Sequence, residues 1–400
     1  MKGIFFDACA TMLAKNLLPI AKVMSENEVN FSATFVSAQT GGNIDPRVES
    51  DSIKKINVSG YKYESVTTFN VSVIMNFLKT ENPDFLFIGA YRIYDQLWVS
   101  ICKSLGVKVF SQQHGFEVES VYYHPNVFYK KAGKVLRLTY AAYSLAKTIK
   151  RPFVILYFQY CRYILTGTSL ANTLLDNTMT RPDVAFVYSQ FYKKFWNKKY
   201  GFPMDSMQAI TPTDFSLIKK ILKKKQENTL CYITQTLVED GRMSINKFYS
   251  LLESYKTIAS HVDKFIVKLH PQANEDIYHE IFDTVKNVEY TREFPHSTYY
   301  LTHYSSLAYT ASFISNNVIL QELSGHPTPE IFRKASFPIF HNVTEIIDYI
   351  KRADVSKPNL EERKKTLQYF AIFKEDDSPH NEIYKRIKKY LLKSTKSKCP

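Results

Sequence analysis

The chain of 400 residues has no paired cysteines. Cys9, Cys102, Cys161, Cys231 and Cys399 are scattered, with no C-x-x-C among them. An odd, dispersed set excludes a disulfide frame and a zinc site and reads as reduced thiols in a cytosolic protein. No run reaches the ~18–20 uncharged apolar residues of a membrane span. Twelve glycines and sixteen prolines are too few for a fibrous or low-complexity class, and no fixed-period repeat occurs. The opening "MKGIFFDACATMLA" has too short an apolar run for a signal peptide, because Asp7 interrupts it. It reads as a first buried strand. Acidic side chains are missing altogether from Ser120 to Leu175.

Apolar residues make up 45% of the sequence, enough to bury two cores at this length. The net charge of +14 is unevenly placed. The acid-free stretch carries Lys130, Lys131, Lys134, Arg137, Lys147, Lys150, Arg151 and Arg162 among many aromatics, as in "FVILYFQYCRYILTG". Near the C-terminus, helical spacing puts Ile383, Ile387, Tyr390 and Leu391 on one face, with Lys385, Arg386, Lys388 and Lys389 around it. Basic residues beside apolar ones favour an anionic membrane surface as partner. A solvated basic helix packed on its own domain is the plain alternative. Nucleic acid is not expected, since no motif for it is present.

Short β-rich runs alternate with helical ones. "KGIFFDA", "FSATFVSA", "DFLFIGA", "VKVFSQQHG" and "DVAFVYS" read as strands, and "MQAITPTDF" as a turn. After the polar stretch "SLIKKILKKKQEN" the pattern restarts with "TLCYITQT", "KFIVKLHP", "VEYTRE", "STYYLTHY" and "FPIFHN". Strands apolar on both faces and separated by helices predict parallel α/β sheets. Two doubly wound, Rossmann-like domains facing a cleft are expected. They are 1–225, with a basic aromatic helical insert at about 120–180, and 226–375, followed by a basic amphipathic tail at 376–400.

Three motifs of the second half follow strands, where open parallel sheets bind ligands. Glu239-Asp240-Gly241 ends the run that begins at Thr229. Gly241 permits a sharp turn, and a carboxylate there can take a proton from an attacking hydroxyl. His270-Pro271 ends the next strand, with proline biasing the histidine toward an extended backbone. His124-Pro125 and His326-Pro327 repeat the dipeptide without that context. Ser305-Ser306 precedes a small-residue helix, a setting that suits an anion.

The ordered set Glu239-Asp240-Gly241, His270-Pro271 and Ser305-Ser306 resembles the D/E-D/E-G, His-Pro and Ser-Ser/Thr motifs of bacterial sialyltransferases. "QTLVEDG" followed closely by "KLHP" is most similar to the lipooligosaccharide sialyltransferase type. The similarity covers roughly residues 230–315. It implies a GT-B fold and inverting transfer of sialic acid from CMP-sialic acid to a hydroxyl of a bacterial surface glycan. It implies Asp240 as general base, with Glu239 as the other candidate, and His270 as the group assisting departure of the CMP phosphate. Ser305 and Ser306 would bind that phosphate, with Gly241 and Pro271 shaping the donor site. No cofactor and no metal are then expected, in keeping with the absence of any D-x-D triplet. The enzyme would be cytoplasmic and peripheral at the inner face of the cytoplasmic membrane, with a homodimer left open.

"SQQHGFEVES" also resembles turns of CDP-glycerol glycerophosphotransferases, which makes His114 and Gly115 candidate acceptor or nucleotide contacts. Another CMP-linked ulosonate, such as Kdo, is a further donor. A non-catalytic scaffold of a polysaccharide assembly complex is the reading from a different class.

Overall fold

The computed structural model describes the chain except for residues 40–45, 118–131, 240, 326, 354–359, 375–377 and 397–400. The described residues form two compact units. One comprises residues 1–114, 132–213 and those from 374 onward, and the other comprises 115–117 and 214–373.

The first unit is built on seven parallel strands: β1 (Lys2–Asp7), β2 (Ser32–Ser37), β3 (Lys62–Ser65), β4 (Phe85–Ile88), β5 (Lys108–Gln112), β6 (Val184–Val187) and β7 (Met207–Ala209). Their order is 3-2-1-4-5-6-7. The central strands are buried on both faces, which is why they read as unbroken apolar runs. Register puts Phe5 beside Phe35 on one side and Phe87 on the other. Their rings stack at 5.1 and 5.8 Å, so one sheet face is a row of aromatic contacts.

Helices of this unit include α1 (Leu18–Asn27), α2 (Ile93–Ser104), α3 (Thr139–Thr148) and α4 (Phe153–Thr166). The chain from Ala10 into α1 is helical throughout and passes through a π-helical turn at Leu13–Leu17. The expected turn at "MQAITPTDF" is corrected, because Met207–Ala209 pairs with β6 as edge strand β7.

The basic C-terminal stretch does not stand apart as a tail. It forms a helix, Pro379–Lys396, that packs on α1. Ile383 and Ile387 are completely buried, and the Tyr390 ring meets Phe110 edge-on at 5.5 Å. Glu28 on this unit accepts from Tyr384 Oη (2.6 Å) and pairs with Lys388 (2.7 Å). Those partners, Lys388 first, hold the Glu28 carboxyl below the usual carboxylate range. The apolar stripe that suggested a membrane face is therefore consumed by the core. Ile387→Ala should lower the unfolding free energy by about 2–5 kcal/mol. Urea unfolding measures this, and a change within about 0.5 kcal/mol would mean the helix contributes little.

The second unit has six parallel strands: β8 (Glu227–Ile233), β9 (Lys264–Lys268), β10 (Val288–Thr291), β11 (Ser297–Thr302), β12 (Asn317–Gln321) and β13 (Ile339–Phe340). Their order is 10-9-8-11-12-13, the same winding as the first six strands of the other sheet. Helices α5 (Ile245–Ala259), α6 (Glu275–Phe282) and α7 (Leu307–Ser312) follow β8, β9 and β11. The core joins Leu230, Tyr232, Val267 and Leu301 of the sheet to Phe248, Leu252 and Tyr255 of α5.

Candidate functional site

In each sheet the strand order reverses next to the first strand. The reversal leaves a crevice at the carboxyl ends, between β1 and β4 in one unit and between β8 and β11 in the other. The three motifs of the second unit occupy the carboxyl ends of β9, β8 and β11, which are adjacent strands. Neighbouring strands lie about 4.8 Å apart, so the three loop origins span roughly 10 Å, the scale of a phosphate and its ribose.

Side-chain to backbone bonds tie these loops together. Thr234, buried at the end of β8, accepts the His270 amide through Oγ1 at 2.8 Å. Gln235 Oε1 accepts the Tyr304 amide at 3.0 Å. Glu239 Oε1 accepts the Asn274 amide at 2.8 Å, just where Asn274 caps α6. Gly241 adopts a left-handed backbone, φ 71°, and its amide closes a turn onto Val238 O. The Arg242 and Met243 amides then both return to Leu237 O. Asp240 itself lies outside the described residues.

His270 and His303 follow β9 and β11, the strands on either side of β8, and have contrasting surroundings. His303 is fully buried, with Tyr232 Oη 3.3 Å from Nε2 and Gln321 O 3.2 Å from Nδ1, as befits a satisfied core histidine. His270 is half-buried, and its Nδ1 accepts the Gln272 amide at 3.1 Å. A ring nitrogen that accepts carries no proton, so Nε2–H is the donor of the neutral ring. Pro271, exposed beside it, sets the turn.

Ser305 Oγ accepts the Leu307 amide at 3.3 Å, while Ser306 stands at the N-cap of α7 without a side-chain capping bond. At six residues α7 is short, so the hydroxyls and local amides offer more to an anion than any helix dipole does. Residues 115–117 belong to this unit. Phe116 stacks on Tyr309 with ring centres 4.3 Å apart. A Cβ on Gly115 would lie 4.0 Å from Ser306 Oγ. His114, the neighbour of Gly115 in sequence, belongs to the first unit. It is exposed after β5, and its Nδ1 accepts the Asn16 side-chain amide at 2.9 Å from the π-helical turn.

Sequence reading alone misses several groups at these edges. Thr234 and Gln235 are the polar pair that ends an apolar strand, a signal visible in "YITQT". Arg242 donates to Tyr304 Oη at 3.3 Å and lies over its ring. At the crevice of the first sheet, Arg92 bonds Asp7 at 2.8 Å and Asp95 at 2.7 Å. Burial pushes the Asp95 carboxyl up, against the opposing pull of Arg92. Gly89 is required there, since a Cβ would run into Asp7 Oδ2.

No family model matches the chain, and no curated protein matches it in sequence. Solved structures do match over nearly its whole length. A variant of the wall teichoic acid polymerase TagF superposes with a TM-score of 0.55 at 10% identity, covering 99% of this chain and 90% of that one. UDP-GlcNAc 2-epimerase of Methanocaldococcus jannaschii, solved with UDP-GlcNAc and UDP, gives 0.54 at 12% identity over 98% and 100%. Staphylococcus aureus MnaA, solved with UDP, gives 0.54 at 12% over 98% and 97%. The fold is GT-B. At such identities the likeness speaks for the GT-B architecture alone.

Proposed function

We propose that this GT-B chain is an inverting glycosyltransferase that moves sialic acid from CMP-sialic acid to a hydroxyl of a bacterial surface glycan. In this reading it works at the inner face of the cytoplasmic membrane. The observation that carries the proposal is His270, whose ring is oriented at the carboxyl edge of β9 by the Gln272 amide on Nδ1, which makes Nε2 the donor side. Such a donor suits a phosphate that gains charge as the glycosidic bond breaks. Ser305 and Ser306, two strands away, supply hydroxyls for the same phosphate, and Gly241 and Pro271 shape the loops around it. Glu239 already anchors α6 through the Asn274 amide, which favours Asp240 as the base. That two similar structures hold UDP, one of them with UDP-GlcNAc, supports a nucleotide-sugar donor in general terms.

The chemistry is a displacement. The acceptor hydroxyl gives its proton to Asp240 and bonds to the anomeric carbon, while CMP leaves with the bonding pair and His270 stabilises its phosphate. As general base the carboxylate contributes roughly 10²–10⁴-fold. A monophosphate leaving group needs no metal in this scheme.

A second reading, transfer of glycerol phosphate from CDP-glycerol, is favoured by His114, an exposed histidine at the carboxyl edge of the first sheet, held by Asn16. Nucleotide release from a panel of CMP-, CDP- and UDP-linked donors separates the two. The expected result is slow CMP release from CMP-sialic acid without acceptor, undiminished in excess EDTA. Release only from CDP-glycerol or a UDP-sugar, or a strict need for magnesium or manganese, would overturn the CMP-sugar reading.

A further inference from the structure

Among the described residues nothing covers one apolar face of the α3–α4 hairpin. The inner side of α3 packs on α2 through Ala141, Ala142, Leu145 and Ala146, all buried. Its outer side presents Tyr140 and Tyr143, both about half exposed, stacked on each other at 6.3 Å. Tyr143 meets Phe153 at 5.6 Å, and Phe153 stacks on Tyr157 at 5.4 Å, so the rings run on from α3 into α4. The Tyr157 hydroxyl lies 2.7 Å from Thr139 Oγ1 and locks the two helices together.

Helix α4 is the more unusual element. Its fourteen residues, FVILYFQYCRYILT, include one charge, Arg162, yet only Leu156 and Tyr160 are buried. Val154 is 76% exposed, Phe158 67% and Ile155 52%. At 100° per residue these three and Arg162 fall within an arc of about 100°. Fourteen residues make a helix of about 21 Å, too short for a hydrocarbon core of about 30 Å. Among the described residues no helix is long and apolar enough to cross a membrane.

Charge selects what covers this face. Lys134, Arg137, Lys147, Lys150, Arg151 and Arg162 are all exposed around it. No acidic residue accompanies them anywhere from Ser120 to Leu175. A second copy of the same face would meet like charge with like. We infer that the outer face of the α3–α4 hairpin is a docking surface for an anionic phospholipid bilayer, on which α4 lies in the interfacial plane. Phe158, Val154 and Ile155 enter the acyl boundary while the surrounding lysines and arginines meet lipid phosphates. The C-terminal helix, whose apolar side is already spent on β5 and α1, has no part in it.

The test is co-sedimentation of the full chain with phosphatidylcholine vesicles, with and without phosphatidylglycerol, at low and high salt. It reads binding alone, so it is independent of the reaction proposed above. Val154→Glu/Phe158→Glu should lower partitioning onto phosphatidylglycerol vesicles by at least about tenfold, with an unchanged circular dichroism spectrum. Lys150→Glu/Arg151→Glu should also lower it by more than about tenfold, since each basic residue near the surface contributes roughly fivefold. Lys385→Glu/Lys389→Glu, exposed on the C-terminal helix, should leave it within about twofold. The inference is overturned if Val154→Glu/Phe158→Glu binds like wild type, or if pure phosphatidylcholine binds equally well. It is equally overturned if the protein binds no vesicles but forms a dimer that Val154→Glu/Phe158→Glu dissolves.

Discussion

Replacing His270 with alanine is expected to lower kcat by about 10²–10³-fold while CMP affinity changes little. In the proposed reaction the difference arises because the ground-state phosphate already carries charge that the Ser305 and Ser306 hydroxyls would share. The extra charge appears only as the bond to the anomeric carbon breaks, and a donor aimed at it acts on the transition state. The geometry makes a finer version testable. Nδ1 of His270 accepts the Gln272 amide, so in the proposed reaction the donor is Nε2–H. His270→Gln, which keeps an N–H of similar reach, should recover part of the loss, whereas His270→Phe should not. Parallel measurements on His124→Ala and His326→Ala, histidines that also precede proline, set the baseline. If those two cost as much as His270→Ala, or if His270→Ala weakens CMP binding as much as it slows turnover, the assignment of the leaving-group donor fails.

Asp240→Asn is expected to abolish transfer, a loss of about 10²–10⁴-fold or more, with CMP binding nearly intact. In the proposed reaction the carboxylate acts on the acceptor hydroxyl and not on the nucleotide. Glu239→Gln should behave differently. Its amide oxygen can still accept the Asn274 N–H, so the α6 start is retained and turnover should fall only modestly. Kinetics of both variants with saturating donor and acceptor distinguish the two carboxylates. Near-normal transfer by Asp240→Asn together with inactive Glu239→Gln would move the base one residue earlier.

Much of the architecture was open to reading from the residues. Runs such as "GIFFD" and "FLFI" are apolar on both faces, and only a parallel sheet between helix layers buries both. Edge elements were harder. Met207–Ala209 is three residues long and followed by proline-containing turns, so nothing local distinguishes it from a loop. The reading places no strand at Lys62–Ser65, an exposed edge, or at Asn317–Gln321, which directly follows a short helix. The C-terminal stretch has the same amphipathic pattern whether lipid or protein covers it. Only the identity of the covering surface, here Phe110 and α1, separates the cases, and that contact spans 280 residues of sequence.

The site shows the same division. That Glu239, His270 and Ser305 follow strands is visible in order and spacing. That β9, β8 and β11 are neighbours depends on winding, which no single segment encodes. The Glu239–Asn274 and Thr234–His270 bonds each cross about 35 residues and join two different loops, so they had no local signature. The Asp7–Arg92–Asp95 cluster was hidden because each member reads, alone, as an ordinary charge at the end of an element.

The closing helix also has a consequence for how the polypeptide is made. The first sheet ends at Ala209, yet the segment that covers Phe110 is translated only after all of 214–373 has been synthesised. At ~5–20 residues per second the nascent N-terminal half waits on the order of ten to thirty seconds for its last helix. During that interval Phe110 and the side of α1 that the helix packs on lack their cover, while the later half, nearly continuous in sequence, can fold as soon as it emerges. The half made first is therefore the half completed last, and ribosome-stalled chains ending before Pro379 are where chaperone capture should be strongest.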